Sequence, residues 1–292
     1  MMGLIGRALL LLLTLASMAG CERVDELRLA HANDGTPVDW PPGVARVELP
    51  LLASGSGQPW VGVSVDGSPP VPFLLQNAAA AIAVTGARLP GQGGVFFAPE
   101  ESTAGLLPGV ARGRLVHNRR LSLGALVLRD QSLLIVDESA WPHARPGGGA
   151  AGLLGYDLFR RTPVELDPAA GTVSLLRSRA VDIPLHQEVM RLAILDRRPY
   201  VEVRRAGPGA GEVFRLQLEV AWAGAACLDV PGEARQIVVG GQQVDIEAAG
   251  CDGERFPADP AAGRDGILGY GALENRRLLV DYPGGRAVLF SP

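Results

Sequence analysis

The chain has 292 residues, enough to bury a large core in one domain or in two lobes. Hydrophobic residues make up 47% and charged residues 20%, a composition that excludes a globally disordered chain. The formal net charge of −4 excludes a strongly basic surface of the kind that binds nucleic acid.

The first 20 residues have the features of a targeting segment. Arg7 is followed by an apolar run from Ala8 to Leu15, which is too short and too close to the N-terminus for a spanning helix. Small residues then lead into Cys21, a pattern that resembles the bacterial lipoprotein signal, in which the cysteine is lipidated. The alternative is an ordinary secretory signal with an unrelated cysteine after it. We expect a signal peptide over 1–20 and a lipid anchor in the cell envelope; Glu22 favours the periplasmic face of the outer membrane.

The body of the chain has an all-β pattern. Residues 21–45 are polar and unpatterned, so we expect a flexible tether there. From Arg46 onward, short apolar runs alternate with Gly, Pro and Asp turns, which is typical of an all-β fold. The sequence contains no long amphipathic helix; short helices are predicted at Asp157–Arg161 and Ala272–Arg276.

One motif occurs twice and divides this body into halves. The stretch Gly152–Tyr156, Gly-Leu-Leu-Gly-Tyr, returns as Gly266–Tyr270, Gly-Ile-Leu-Gly-Tyr. After each copy come an apolar strand, an acidic turn with glycine, and a second apolar strand. This duplication predicts an N-terminal lobe over 46–178 and a C-terminal lobe over 188–292.

The repeated motif, with the strands and turns that follow each copy, resembles the sequence pattern of the bacterial retropepsin-like, pepsin-related aspartic proteases. Asp265–Gly269 matches the closing motif of that family, and Arg120–Leu128 resembles its middle segment. The resemblance covers nearly all of residues 46–292. It implies an all-β, two-lobed aspartic-protease-like barrel duplication of the pepsin or retropepsin type, with short helices after each Gly-Leu-Leu-Gly-type motif.

The positions at which this family carries its catalytic aspartates hold other residues. The expected Asp-Thr-Gly-Ala falls on Gln76–Ala79 in the first lobe and on Glu219–Trp222 in the second. Aspartic proteolysis needs two adjacent carboxyls that share a proton. Because Gln76 cannot exchange a proton near neutral pH and Glu219 would stand alone, we expect no proteolysis by the family mechanism. The family threonine that ties the loops together is Asn77, which can still hydrogen-bond, and Val220, whose side chain cannot.

Three functional alternatives follow. The family cleft holds an extended peptide, so the first is a non-catalytic protein that binds a peptide or an envelope protein, with Asn77, Ala78, Val220 and Trp222 as candidate cleft residues. The second is a hydrolase centred on Glu219. The third is a structural relic whose Ala-rich loops fill the old cleft. A Trp222 side chain that points into an open groove would favour binding, and one that plugs the groove would favour the relic.

A dyad located elsewhere, at Asp66 or Asp229, is a further alternative, although both residues lie in predicted turns. Cys227 and Cys251 would form a disulfide in an oxidising compartment; otherwise they are buried thiols. The histidines show no metal-site spacing, and we expect no metal, no cofactor and no nucleic-acid partner. Paired arginines are predicted to lie on solvated faces: Arg119-Arg120, Arg160-Arg161, Arg197-Arg198 and Arg276-Arg277.

Overall fold

A computed structural model describes residues 31–52, 57–79, 82–85, 113–136, 151–207, 211–229, 235–247, 251, 263–273 and 276–290. Strands dominate these residues, as the alternation of apolar runs and turns predicts. None of the helices found there is long and apolar enough to cross a membrane.

Six strands of the first half close into a barrel. They are adjacent in the order β7-β5-β8-β4-β3-β6, and β6 pairs back onto β7. Apolar side chains fill the interior because they alternate with more exposed residues along strands such as β3. The strands are β3 (Trp60–Val65), β4 (Val71–Leu75), β5 (Ala83–Thr85), β6 (Gly113–Leu123), β7 (Leu126–Val136) and β8 (Gly152–Leu154).

The second half repeats the central pairings of the first. In the first half β4 runs parallel to β8, and β5 pairs with β8 from the other side. In the second, β13 runs parallel to β17, and β14 pairs with β17. Strands of this half include β12 (Arg198–Arg205), β13 (Val213–Glu219), β14 (Ala226–Leu228), β15 (Gln236–Val239), β16 (Gln242–Asp245) and β17 (Gly266–Gly269).

A run of six antiparallel strands from both halves joins the lobes, in the order β2-β10-β9-β18-β19-β11. At its centre, Glu165 of β9 lies opposite Leu279 of β18. These two residues occupy the same position in the two copies of the repeat, so the register places an approximate two-fold axis between them. The six strands are β2 (Arg46–Pro50), β9 (Val164–Asp167), β10 (Thr172–Leu176), β11 (Met190–Leu195), β18 (Leu278–Asp281) and β19 (Arg286–Leu289).

Short helices follow both copies of the motif, as predicted, but they begin earlier than expected. Helix α1 spans Tyr156–Phe159, and a 3₁₀ helix spans Tyr270–Ala272. Each therefore begins at the tyrosine of its motif. A second 3₁₀ helix, Ser178–Ala180, lies in the segment between the halves.

The prediction of a flexible tether over 21–45 is wrong for residues 31–45. Strand β1 (Val38–Asp39) pairs with β7, and the Asn33 side chain is only 1% exposed. Arg160 and Arg161, predicted to be solvated, donate hydrogen bonds to Asn33 and Thr36. Such contacts between polar side chains leave no periodic pattern in the sequence. Residues 31–39 are called the strap below; residues 21–30, including Cys21, lie outside the described part of the chain.

A disulfide joins Cys227 of β14 to Cys251, with an S–S distance of 2.01 Å. In the chain-entropy account, closing a loop of this length stabilises the fold by roughly 3–4 kcal/mol. The bond links strand β14, which flanks the closing strand β17, to the segment that follows β16.

Candidate functional site

The first active-site loop follows strand β4 and is held by backbone hydrogen bonds. The Gln76 N–H donates to the Leu154 carbonyl (3.0 Å), which extends the parallel pairing of β4 with β8. The Ala79 N–H donates to the Gln76 carbonyl (2.9 Å), and the Tyr156 N–H donates to the Ala79 carbonyl (2.7 Å). The motif that opens helix α1 therefore supports the turn from Gln76 to Ala79.

The second loop follows strand β13 and has the same hydrogen bonds. The Trp222 N–H donates to the Glu219 carbonyl (3.1 Å), and the Tyr270 N–H donates to the Trp222 carbonyl (2.7 Å). Glu219 lies beside Gly269 in the parallel pairing of β13 with β17. These contacts make Glu219 the counterpart of Gln76, the pair of positions to which the sequence alignment assigns the absent dyad.

Asn77 joins the two loops directly. Its side-chain Nδ2 donates to the Leu218 carbonyl (2.9 Å), and its Oδ1 accepts from the Val220 N–H (2.9 Å). The phenol of Tyr282 donates to the Asn77 carbonyl (2.8 Å). Asn77 is fully buried, so one asparagine and the backbone on either side of Glu219 connect the lobes across this junction, called the seam below.

Further contacts close the seam beside Asn77. The Gln58 side chain donates from Nε2 to the Ala221 carbonyl across the lobes. Ala221 also packs into a buried apolar cluster of the first lobe that includes Trp60, Ala79 and Leu153. The predicted cleft residue Ala78 is buried beside this cluster at 7% exposure. The loops that carry the dyad positions are thus in contact through both polar and apolar groups.

The carboxyl of Glu219 is buried and only half satisfied. The residue is 1% exposed, and its Oε1 accepts from the Ala221 N–H (3.1 Å). Its Oε2 has no hydrogen-bond partner among the described residues. Burial raises the pKa of Glu219 to about 7, against the opposing effects of the Ala221 N–H and the Arg198 charge.

The residue at the equivalent position of the first lobe cannot complete an acid pair. Gln76 is 5% exposed, and its carboxamide neither gains nor loses a proton. Within the described part of the chain, the only side-chain charge that acts on the pKa of Glu219 is that of Arg198. The seam therefore offers one carboxyl where a shared-proton mechanism requires two.

Tyr282 is a seam residue that sequence reasoning missed. Its ring lies 5.9 Å from that of Tyr156 and 5.6 Å from that of Phe159. Burial, with the nearby Glu219 charge, raises the pKa of the Tyr282 phenol well above its usual value, so it remains a hydrogen-bond donor. The signal available in the sequence was a break in the repeat, because the first copy has Pro168 at this position.

Trp222 lies against its own lobe. Its ring packs so closely on Gly224 and Gly269 that a Cβ on either glycine would lie within 2.5 Å of a ring atom. The residue as a whole is half-buried.

The displaced dyad proposed at Asp66 or Asp229 is wrong. Asp66 has a φ of 51° in a turn and accepts hydrogen bonds from the Arg119 side chain and the Arg120 backbone N–H, both at 2.9 Å. Asp229 is exposed and paired with Arg264 at 2.9 Å. Each carboxylate therefore has an arginine partner rather than a second carboxyl.

No group of three His, Cys, Asp or Glu side chains suited to a metal ion occurs in the described ranges. His31 contacts Asp34, His117 contacts the Ser132 hydroxyl, and His186 is exposed. His143 lies outside those ranges.

Comparison with solved structures matches most of the chain. The basic 7S globulin from soybean gives a TM-score of 0.51 at 11% identity, covering 84% of this chain and 95% of that one. An aspartic proteinase from Irpex lacteus gives 0.50 at 10% identity, covering 85% and 97%. Conglutin gamma, a basic 7S globulin from lupine seeds, gives 0.50 at 12% identity, covering 85% and 95%.

No protein-family model and no curated protein sequence matches the chain. Identities this low relate folds only, and here they agree with the paired loops, the closed barrel and the duplicated strands described above. The chain has the two-lobed, all-β fold of the pepsin-like aspartic proteinases.

Proposed function

We propose that this chain is a non-catalytic, aspartic-protease-like lipoprotein of the bacterial cell envelope, a degenerate member of the retropepsin-like branch. In this proposal the space between the lobes holds an extended peptide or a segment of an envelope protein. The lipid on Cys21 anchors the protein to the membrane, facing the periplasm from the outer membrane.

The main support for the proposal is the seam itself. Its contacts between the two loops are present, although only one of the two dyad positions holds a carboxyl. Asn77 still bridges the loops, and Gln76 and Glu219 still occupy equivalent positions. Two carboxyls about 3 Å apart are needed to divide the roles of acid and base towards water. A carboxamide opposite a single carboxyl removes that chemistry while leaving the architecture in place.

The solved structures support a separation of fold from proteolysis. One of these similar structures is an aspartic proteinase, and two are basic 7S globulins. Because proteins of both kinds have this fold, the architecture alone does not imply cleavage. Extended peptides commonly bind by adding a strand to exposed backbone, a mode suited to a protein built of strands.

The export part of the proposal is supported by the sequence and by one structural feature. The lipoprotein-like segment ends at Cys21. The remaining two cysteines, Cys227 and Cys251, are joined as a disulfide, and disulfides persist in the oxidising periplasm.

A second candidate, a hydrolase centred on Glu219, is favoured by one observation. The pKa of this carboxyl is about 7, where a general acid or base works best at neutral pH. It lacks a charged carboxyl partner within the described residues, so it would need a different second group from the family mechanism.

A digest separates the two candidates. Wild type, Glu219→Gln and Glu202→Gln are incubated with a broad peptide library from pH 3 to pH 8, and products are read by mass spectrometry. Glu202→Gln is the matched control because that side chain is exposed on β12. We expect no cleavage by any of the three proteins. Cleavage by wild type and Glu202→Gln that is lost in Glu219→Gln would establish the hydrolase instead.

Binding is tested with a photo-crosslinking residue at Trp222, which is half-buried beside the seam. A matched protein carries the same residue at Leu185, which is fully exposed in the segment between the halves. We expect saturable crosslinking of an envelope-derived peptide or protein from position 222 only. Equal labelling from both positions, or none from 222, would contradict peptide binding between the lobes.

A further inference from the structure

The strap is docked through a buried polar side chain. Asn33 Nδ2 donates to the Ser132 carbonyl (3.0 Å) and to Asp157 Oδ2 (2.7 Å). Asn33 Oδ1 accepts from the Ser132 N–H (2.6 Å). Because these groups are buried, detaching the strap would leave unpaired donors and acceptors, each of which costs free energy.

Helix α1 and the residues after it share the other strap contacts with strand β7. Arg160 pairs with Asp34 at 3.0 Å and donates to the Asn33 carbonyl. Arg161 donates to the Thr36 hydroxyl (2.6 Å). The docked strap therefore contacts Asp157 within this helix and the two arginines that follow its last residue.

The first residue of the same helix faces the second lobe. The guanidinium of Arg197 lies 5.7 Å from the centre of the Tyr156 ring, and that of Arg160 lies 5.9 Å from it. Arg197 lies at the tip of the β11–β12 hairpin, where Asp196 and Arg197 have φ values of 46° and 62°. This tight turn places an arginine of the second lobe over a ring of the first.

Tyr156 also lies close to a residue of the seam. Its ring lies 5.9 Å from that of Tyr282, whose phenol donates to the Asn77 carbonyl. The Asn77 side chain in turn bonds the backbone on both sides of Glu219. An unbroken series of contacts thus joins Asn33 in the strap to the loops that carry the dyad positions.

We propose that the strap, residues 31–39, controls the packing of the two lobes at the seam. When it is docked, helix α1 holds Tyr156 against Arg197 and Tyr282, and the Asn77 bridge is rigid. When it is pulled away, the helix loosens and the bridge opens more often. A pulling force on the N-terminal segment would then loosen the packing between the lobes. The inference rests on these contacts and is independent of catalysis, lipid attachment and peptide binding.

Amide hydrogen exchange on the full chain tests the coupling, with Asn33→Ala as the first variant. The reporters are the Val220 and Trp222 amides, which donate to Asn77 Oδ1 and the Glu219 carbonyl. We expect both to exchange about tenfold faster in the variant, while amides of the β15–β16 hairpin keep their wild-type rates.

Arg129→Ala is the matched control, because Arg129 pairs with Asp39 at the other end of the strap, outside the path to Tyr156. It should leave the seam amides unchanged. If Asn33→Ala does not fold, the near-isosteric Thr36→Val takes its place, since it removes the hydrogen bonds from Gln131 and Arg161 and the one that the Thr36 hydroxyl donates to the Asn33 carbonyl, without touching the Asn33 side chain.

Two results would overturn the proposal. The first is faster exchange of the strap amides of Asp34 and Thr36 without any change at the seam. The second is a uniform rise in amide exchange rates that includes the β15–β16 hairpin. Such a rise would mean general destabilisation rather than coupling.

Discussion

At the scale of single residues, the sequence showed which residues hold the expected dyad positions but not how the loops stay joined. That Gln76 stands where the resemblance implies an aspartate is visible from residue type alone. The Val220 side chain offers no hydrogen bond, as its identity predicts, yet its backbone N–H binds Asn77. A main-chain donor is present at almost every position, so only the folded geometry shows which one is used.

The buried carboxyl of Glu219 should make stability depend on pH. Its pKa is about 7 in the folded chain, against an ordinary value of 4.5 that applies to the unfolded chain. The folded state therefore holds the proton more tightly, and this stabilisation is fully present below pH 4.5 and lost as pH rises through 7. By pH 8, the free energy of unfolding should be lower than below pH 4.5 by on the order of 3 kcal/mol.

Glu219→Gln should remove that dependence, because a carboxamide does not titrate. Denaturant unfolding at pH 5 and pH 8 measures this dependence. Between these pH values, the free energy of unfolding of wild type should fall by roughly 2–3 kcal/mol more than that of the variant. Glu202→Gln, an exposed site, should follow wild type. If wild type and Glu219→Gln lose equal stability between pH 5 and pH 8, Glu219 does not titrate as described.

At the scale of elements, repetition in the sequence was the most reliable guide. Both copies of the motif form a strand, a short helical turn and a hairpin, and both hairpin turns are closed by an aspartate. Asp167 Oδ1 accepts from the Ala170 N–H and Asp281 Oδ1 from the Gly284 N–H, each at 2.9 Å. Repetition could not reveal the strap, since it has no second copy and is held by side chains far away in the sequence.

Glycine in the closing motif is required by close packing rather than by an unusual φ angle. A Cβ on Gly269 would lie 2.2 Å from the Gly224 carbonyl oxygen and 2.5 Å from Cε3 of Trp222. Because backbone cannot yield as a flexible side chain can, Gly269→Ala should destabilise the protein by about 1–3 kcal/mol. Chemical denaturation measures the loss.

Gly211→Ala provides the matched control for that change. A Cβ at Gly211 would meet nothing within 4 Å, so its effect should remain within about 0.5 kcal/mol. Equal stability of the two variants would mean that the loop around Trp222 moves aside and that the close contact at Gly269 is not a constraint.

At the scale of the whole molecule, the docked strap shortens the distance over which a lipid anchor could hold the protein. A free tether over 21–45 would allow the body to move far from a bilayer. With Asn33 fixed on the first lobe, only the steps from Cys21 to Asn33 remain, about 40 Å when fully extended. The face that carries the strap should therefore stay close to the membrane if Cys21 is lipidated.

Energy transfer on vesicles measures this distance for the lipidated protein. A fluorophore at Asp130→Cys, an exposed position of strand β7 near Ser132, should transfer strongly to headgroup-labelled lipid. Inserting a 24-residue Gly/Ser linker between residues 30 and 31 should weaken transfer, because a flexible linker of that length adds roughly 25–30 Å of mean reach. Cys21→Ser should abolish transfer by releasing the protein. Transfer that is equal with and without the linker would show that something other than the strap sets the distance to the bilayer.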